Sequence, residues 1–195
     1  MNAFLASMGR KPGRRTGRRQ TDFTAAVGEL LNDLAPFGYE PTLVGGMALV
    51  TLGSTRVTRD FDFLVVAEAR AQNALVQVFY RHGFELVSRT DEHGNVIRTL
   101  DSREVAGARL RIDRPSAAYF FNRALGLRVD LLFDFPIQAR EVRRRSTRTR
   151  IQSYAFHIAS RGDLILMKEI AARDRRNPAD LQDLEFLKRT GRASS

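Results

Sequence analysis

Apolar residues first recur at helical spacing. Phe23, Val27, Leu30, Leu31 and Leu34 follow the capping residues Thr21 and Asp22, and Pro36 with Gly38 ends the run. A short apolar stretch at 42–44 predicts a strand, Gly45 and Gly46 a turn, and 47–52 a small helix. Residues 61–66 read as the next strand and 69–82 as a helix stopped by Gly83. From Phe84 to Ile112 the pattern becomes strand-like, with a turn at 91–95 between Leu86-Val87 and Val96-Ile97. RVDLLFDF at 128–135 predicts another buried strand, and 154–158 a short one.

Two helices are expected to close the chain. Ser160 caps the first, with Asp163 in the capping-box position and Leu164, Met167, Ile170 and Ala171 as its buried stripe. Asn177 and Pro178 open the second, whose Leu181, Leu184 and Leu187 share a face. This alternation of strands and helices argues for an α/β or α+β sheet domain with a C-terminal helical pair. A basic tail is expected at 1–20, a core at 21–159, and helices packed on that core at 160–195.

Charge changes the picture next. The net charge is +10, and the excess is clustered. Arg10, Lys11, Arg14, Arg15, Arg18 and Arg19 form one block; Arg140, Arg143, Arg144, Arg145, Arg148 and Arg150 form another. Such blocks attract a phosphate-bearing polymer such as RNA, or else form a solvated face; their size and clustering favour the polyanion. The first twenty residues are acid-free but carry no apolar stripe, so they read as a disordered basic tail rather than a transit peptide. The absence of cysteine excludes disulfides and thiolate chemistry, and His82, His93 and His157 fall in no metal-ligand spacing. No apolar run approaches the length of a membrane span, so a cytoplasmic protein with no membrane partner is expected.

Candidate chemistry concentrates in LVGGMALVTLGSTRVTRDFDFLVV, residues 43–66. In a strand, Phe61 and Phe63 point one way and Asp60 and Asp62 the other. Two carboxylates about 7 Å apart on one face repel unless a cation lies between them, and Mg²⁺, which takes hard oxygen ligands, is the natural one. Aspartate is common enough here for one D-x-D to arise by chance, so context decides. Gly45 and Gly46 supply it, standing between a strand and a helix where backbone N–H groups can approach a phosphate.

Val44-Gly45-Gly46, thirteen residues, then Asp60-Phe61-Asp62-Phe63 resembles the signature of the polymerase-beta-like nucleotidyltransferase superfamily. The form G-x-x-R-x-T-x-D-x-D, given by Gly53, Arg56, Thr58, Asp60 and Asp62, is similar to the small prokaryotic branch that includes AbiEii-type and MNT-type toxin-like proteins. The resemblance implies a minimal nucleotidyltransferase fold, a mixed sheet flanked by helices. It also implies a third carboxylate on a neighbouring strand: Asp130 matches, with Asp134 as an alternative on the same face. Lys168, Arg173, Asp180 and Asp183 look like the family's C-terminal helical motif. Gly46 departs from the pattern, standing where many relatives carry a serine, which leaves phosphate contact to backbone or to Ser54 and Thr55.

On this resemblance, Asp60, Asp62 and Asp130 are the expected catalytic and metal-binding residues, for Mg²⁺ or Mn²⁺. Gly45, Gly46, Ser54, Arg56, Thr58 and Lys168 are the expected nucleotide-binding residues. The implied reaction is transfer of NMP from an NTP such as ATP to an acceptor hydroxyl, with RNA or tRNA as acceptor and a cognate antitoxin protein as a further partner. The other reading is a catalytically idle nucleotidyltransferase fold that binds nucleic acid or a partner protein. A Rossmann-type dinucleotide site is excluded, because VGGMAL lacks G-x-G-x-x-G.

Overall fold

The computed structural model describes residues 22–66, 68–112, 116–175 and 178–192. The expected basic tail and Asn177 lie outside the described residues. In chain order the elements are α1 (Phe23–Leu34), β1 (Thr42–Val44), α2 (Gly45–Thr51), β2 (Phe61–Val65), α3 (Gln72–Arg81), β3 (Glu85–Thr90), β4 (Val96–Leu100) and α4 (Arg103–Arg109). Then follow β5 (Ser116–Asn122), β6 (Leu127–Phe133), α5 (Ala139–Arg145), β7 (Thr147–Ile151), β8 (Tyr154–Ile158), α6 (Arg161–Arg175) and α7 (Pro178–Arg192).

The strands form one eight-stranded sheet in the order β4-β3-β5-β6-β2-β1-β8-β7. It is mixed: β2 with β6 and β1 with β8 run parallel, and the other neighbours antiparallel. The mixed α/β architecture agrees with the expected fold class.

Alternation along each strand separates the two faces. One face carries Phe61, Phe63, Val65, Phe120, Val129, Leu131 and Phe133, all within the buried core that α1 and α3 also join. Asp22 caps α1 by accepting from the Ala25 N–H at 3.1 Å, which satisfies one of the free donors at a helix start. From α3, the Phe79 ring stacks on Phe120 with centroids 4.0 Å apart and meets Phe84 edge-on at 5.9 Å. Burying such a ring contributes roughly 1.5–3 kcal/mol.

The structure departs from the expected pattern in several places. Residues 103–109 form α4 where the pattern predicts strand. Ser102 caps this helix at 3.2 Å from the Val105 N–H, and its seven residues bury only Ala106, too little for helical periodicity to register. SAAYFFN at 116–122, for which the pattern predicts no element, forms β5. The arginine block at 140–150 contains α5 and β7, whose charged residues conceal both periods.

Along α7, Leu184 and Leu187 are buried but Leu181 is 59% exposed. The inward stripe is instead shared with Asp180 and Asp183, both 5% exposed and paired with cations. Likewise only Leu164 of the α6 stripe is fully buried. Met167, Ile170 and Ala171 line a cavity between α6 and the sheet.

Candidate active site

The sheet face opposite the aromatic core holds the carboxylates. Strand period sends Phe61 and Phe63 inward and leaves Asp62 on the other side, with Asp60 two residues before it. Parallel pairing sets Asp62 beside Asp130, and antiparallel pairing sets Asp130 beside Tyr119. A cavity of about 600 Å³ lies over this face. Its floor includes Asp60, Asp62, Asp130 and Arg128, its rim Gly45 and Gly46, and its roof Lys168 of α6.

Gly45 is fixed by geometry. Its φ is +62°, and a Cβ placed there would stand 2.0 Å from Oδ2 of Asp62. The Asp62 carboxylate is thus pressed against the backbone at the start of α2, space that only glycine leaves open. At Gly46 a Cβ would meet the Arg56 guanidinium at 3.1 Å.

Burial, then Asp62, drives the carboxyl of Asp130 up to about 7 against the opposing pull of Arg128. Asp62 is also raised, by burial and then by Asp60, while Lys168, Arg128 and Arg56 pull the other way. Like charges crowded in a partly dry site raise one another in this way.

Arg128, which is not among the site residues expected from the sequence, answers this crowding. Two residues before Asp130 on β6, it shares that face. Its Nη2 donates to Oδ2 of Asp130 at 2.9 Å and reaches Oδ2 of Asp60 at 3.4 Å. Its Nη1 donates to the Gly94 carbonyl at 3.1 Å, and the guanidinium lies 5.5 Å from the Tyr119 ring centroid. The signal was present as R-x-D at strand period.

The donor set fits a hard divalent cation. Oδ1 of Asp130 is buried without a hydrogen bond, although Nε of Arg128 stands 2.9 Å away. Held by that ion pair alone, this oxygen keeps a lone pair for a cation to take up. Among the described residues no three carboxylates or imidazoles already stand in a coordinating arrangement, and Arg128 provides the positive charge between them.

The other expected nucleotide-binding residues divide. Thr58 and Arg56 line the cavity with both glycines. Ser54 is not among the lining residues, and its Oγ instead accepts the Arg56 backbone N–H at 3.2 Å. Lys168 reaches the cavity, yet its ammonium donates to Asp180 at 2.8 Å and pairs with Asp183 at 2.6 Å. Arg56 pairs with the same Asp183. Asp134 leaves the carboxylate cluster at the strand end and caps α5, its Oδ1 accepting from the Ala139 N–H at 2.9 Å.

Within the second basic block, Arg140, Arg143, Arg144 and Arg145 are paired with Glu68, Glu40, Glu141 and Asp163 respectively. Arg148 and Arg150 stand exposed on the edge strand β7.

Three carboxylates line one cavity wall facing a glycine turn. The chain belongs to the family of the nucleotidyl transferase AbiEii toxin of type IV toxin–antitoxin systems, which matches residues 29–194. Solved structures share the fold at low identity. One is the lincosamide antibiotic adenylyltransferase LnuA with lincomycin bound, 12% identical over 84% of this chain and 95% of that one, TM-score 0.51. An antigenic nucleotidyltransferase-like protein from Paracoccidioides brasiliensis is 17% identical over 85% and 74%, TM-score 0.54. The antibiotic-resistance factor ANT(2'')-Ia is 13% identical over 85% and 82%, TM-score 0.53. No curated protein matches the chain. No helix among the described residues is long and apolar enough to cross a membrane.

Proposed function

We propose that the cavity beside Asp60, Asp62 and Asp130 transfers NMP from an NTP to an acceptor hydroxyl in a reaction that needs Mg²⁺ or Mn²⁺, and that the protein acts as the toxin of a toxin–antitoxin pair. The observation that carries this reading is the register of Asp62 against Asp130, with Asp60 on the same cavity wall.

Asp60, Asp62 and Asp130 would hold the cation, which would supply charge neutralisation on the triphosphate for in-line attack of the acceptor oxygen at the α-phosphorus, the bond to the β-phosphate breaking and pyrophosphate leaving. The first turn of α2 has no side-chain cap, so its N–H groups at Gly45 and Gly46 are suited to triphosphate oxygens. Asp130, kept ionised by the positive charge a loaded site would supply, would act as the general base that takes the proton of the acceptor hydroxyl. Arg128 keeps Asp130 and Asp60 oriented and screens their repulsion from Asp62. Asp180 and Asp183 hold Lys168 at the roof, where it faces the triphosphate. Helices α6 and α7 are therefore part of the catalytic unit and not an appendage.

The acceptor is an RNA such as a tRNA, which the net charge of +10 favours. LnuA, a small-molecule enzyme by its description, marks the competing acceptor class. The test is incubation with each labelled NTP and Mg²⁺, with tRNA, protein or lysate metabolites as acceptor. RNA labelling that disappears in Asp62→Asn is expected. Absence of label in every acceptor, with Asp62→Asn indistinguishable from the parent chain, would establish the idle reading instead.

A further inference from the structure

A second cavity, of about 420 Å³, adjoins the first and shares Thr90, Ala117 and Tyr119 with it. Its origin lies in the sheet. Strands β3 and β5 pair only at Glu85↔Phe121 and Leu86↔Phe120 and then part, while β3 bulges between Val87 and Thr90 along its ladder with β4. The opening between the diverging strands is lined by Arg89, Arg109 and Arg111, and no acidic residue among the described ones lines it.

The bulged ladder sets Arg89 directly opposite Arg98. Two like charges facing each other across an antiparallel ladder are unfavourable without a counter-charge. Arg89, Arg98 and Arg109 have no carboxylate partner among the described residues. They differ in this from Arg140, Arg143, Arg144 and Arg145, which are already neutralised by acids. Where the two cavities meet stands Tyr119, 39% exposed and neighbour to Asp130 across the ladder.

We propose that this gap is the acceptor subsite, and that it takes a single-stranded nucleic-acid end. Successive phosphates run over Arg89, Arg98 and Arg109, while a terminal base stacks on Tyr119 so that its sugar hydroxyl enters the carboxylate cavity. The reasoning is chemical. Unpaired arginines beside an exposed aromatic ring match a phosphate backbone with stacked bases, and the continuity of the cavities supplies the route to Asp130. The proposal rests on the nucleotidyltransferase reading for the word acceptor, whereas the binding it predicts requires no transfer.

The test is the fluorescence anisotropy of a labelled single-stranded RNA with the full chain, without NTP or divalent cation, across a salt series. Arg89→Gln/Arg98→Gln should weaken binding about tenfold and flatten the slope of log K against log salt by about 1.4, the share of two phosphate contacts on a single strand. Arg109→Gln alone should flatten it by about 0.7, and it serves equally should the double variant fail to fold by circular dichroism. Arg148→Gln/Arg150→Gln should match the parent chain. Asp62→Asn should bind RNA at least as tightly as the parent while losing transfer, which separates failure of this subsite from failure of the proposed reaction. The proposal is overturned if the Arg89 and Arg109 variants keep parental affinity and slope, if the parent binds no RNA or DNA strand at low salt, or if an acidic peptide of equal charge displaces RNA as well as unlabelled RNA does. That last result would make the gap a protein-docking surface. Comparing RNA with DNA of the same sequence tells whether the sugar 2′-hydroxyl is read.

Discussion

The two faces of the central sheet are built from the same strands by opposite physics. On the back, Phe61, Phe63, Phe79 and Phe120 are fully enclosed, and every neighbour adds favourable contact. On the front, one residue away along the same backbone, Asp60, Asp62 and Asp130 repel one another and are restrained by Arg128. The back face stabilises the fold, and the front face consumes part of that stability to keep charges close. Substrate-binding arrangements commonly carry such a cost, and it predicts that the two faces respond oppositely to substitution.

The largest contrast should come from Asp62→Asn and Asp130→Asn. Either should reduce NMP transfer about a thousandfold, because it removes a member of a cooperating set. Thermal melting of the cation-free protein should show no loss of stability for Asp62→Asn, since one of the mutually repelling charges is gone. A clear destabilisation there would break the comparison.

Phe79→Ala should do the reverse. It is expected to cost about 3–5 kcal/mol in denaturant unfolding, through the cavity left beside Phe84 and Phe120. Transfer per folded molecule should hold. Gly45→Ala lies between the two, because its Cβ collides with the Asp62 carboxylate. A stability loss of about 1–3 kcal/mol is expected from the strained backbone, with transfer falling more than for any surface alanine.

The smallest effect concerns His157, whose pKa is lowered by burial and then by Arg143, which contacts its Nδ1 at 2.7 Å. The imidazole stays neutral in the fold, whereas the unfolded chain takes up a proton near 6.5. This contribution is therefore fully present above the unfolded value and fades as pH falls through the folded one. His157→Gln should flatten that part of a stability profile measured between about pH 7 and 5.

Much of this was legible in the sequence where one physical pattern dominated a segment. The Phe23–Leu34 helix, the Thr42–Val44 strand and the Tyr154–Ile158 strand follow from periodicity and capping alone. The site emerged from strand alternation at DFDF, because a face so polar beside one so apolar needs a reason. What stayed hidden depended on tertiary pairing. Nothing local shows that Asp180 and Asp183 turn inward, since their burial is tolerable only with Lys168 and Arg56 opposite. Gly28 was likewise silent, a helix-interior glycine whose Cβ would overlap the Tyr154 ring. Arg128 escaped because a charged residue ahead of a buried strand reads as its solvent end, while the register makes it the counter-ion of the cluster.

The shared grip of Asp183 on Arg56 and Lys168 reaches across most of the polypeptide. One carboxylate of α7 thus fastens a loop 127 residues away in sequence and a neighbouring helix at once, so that its loss would free two cations together.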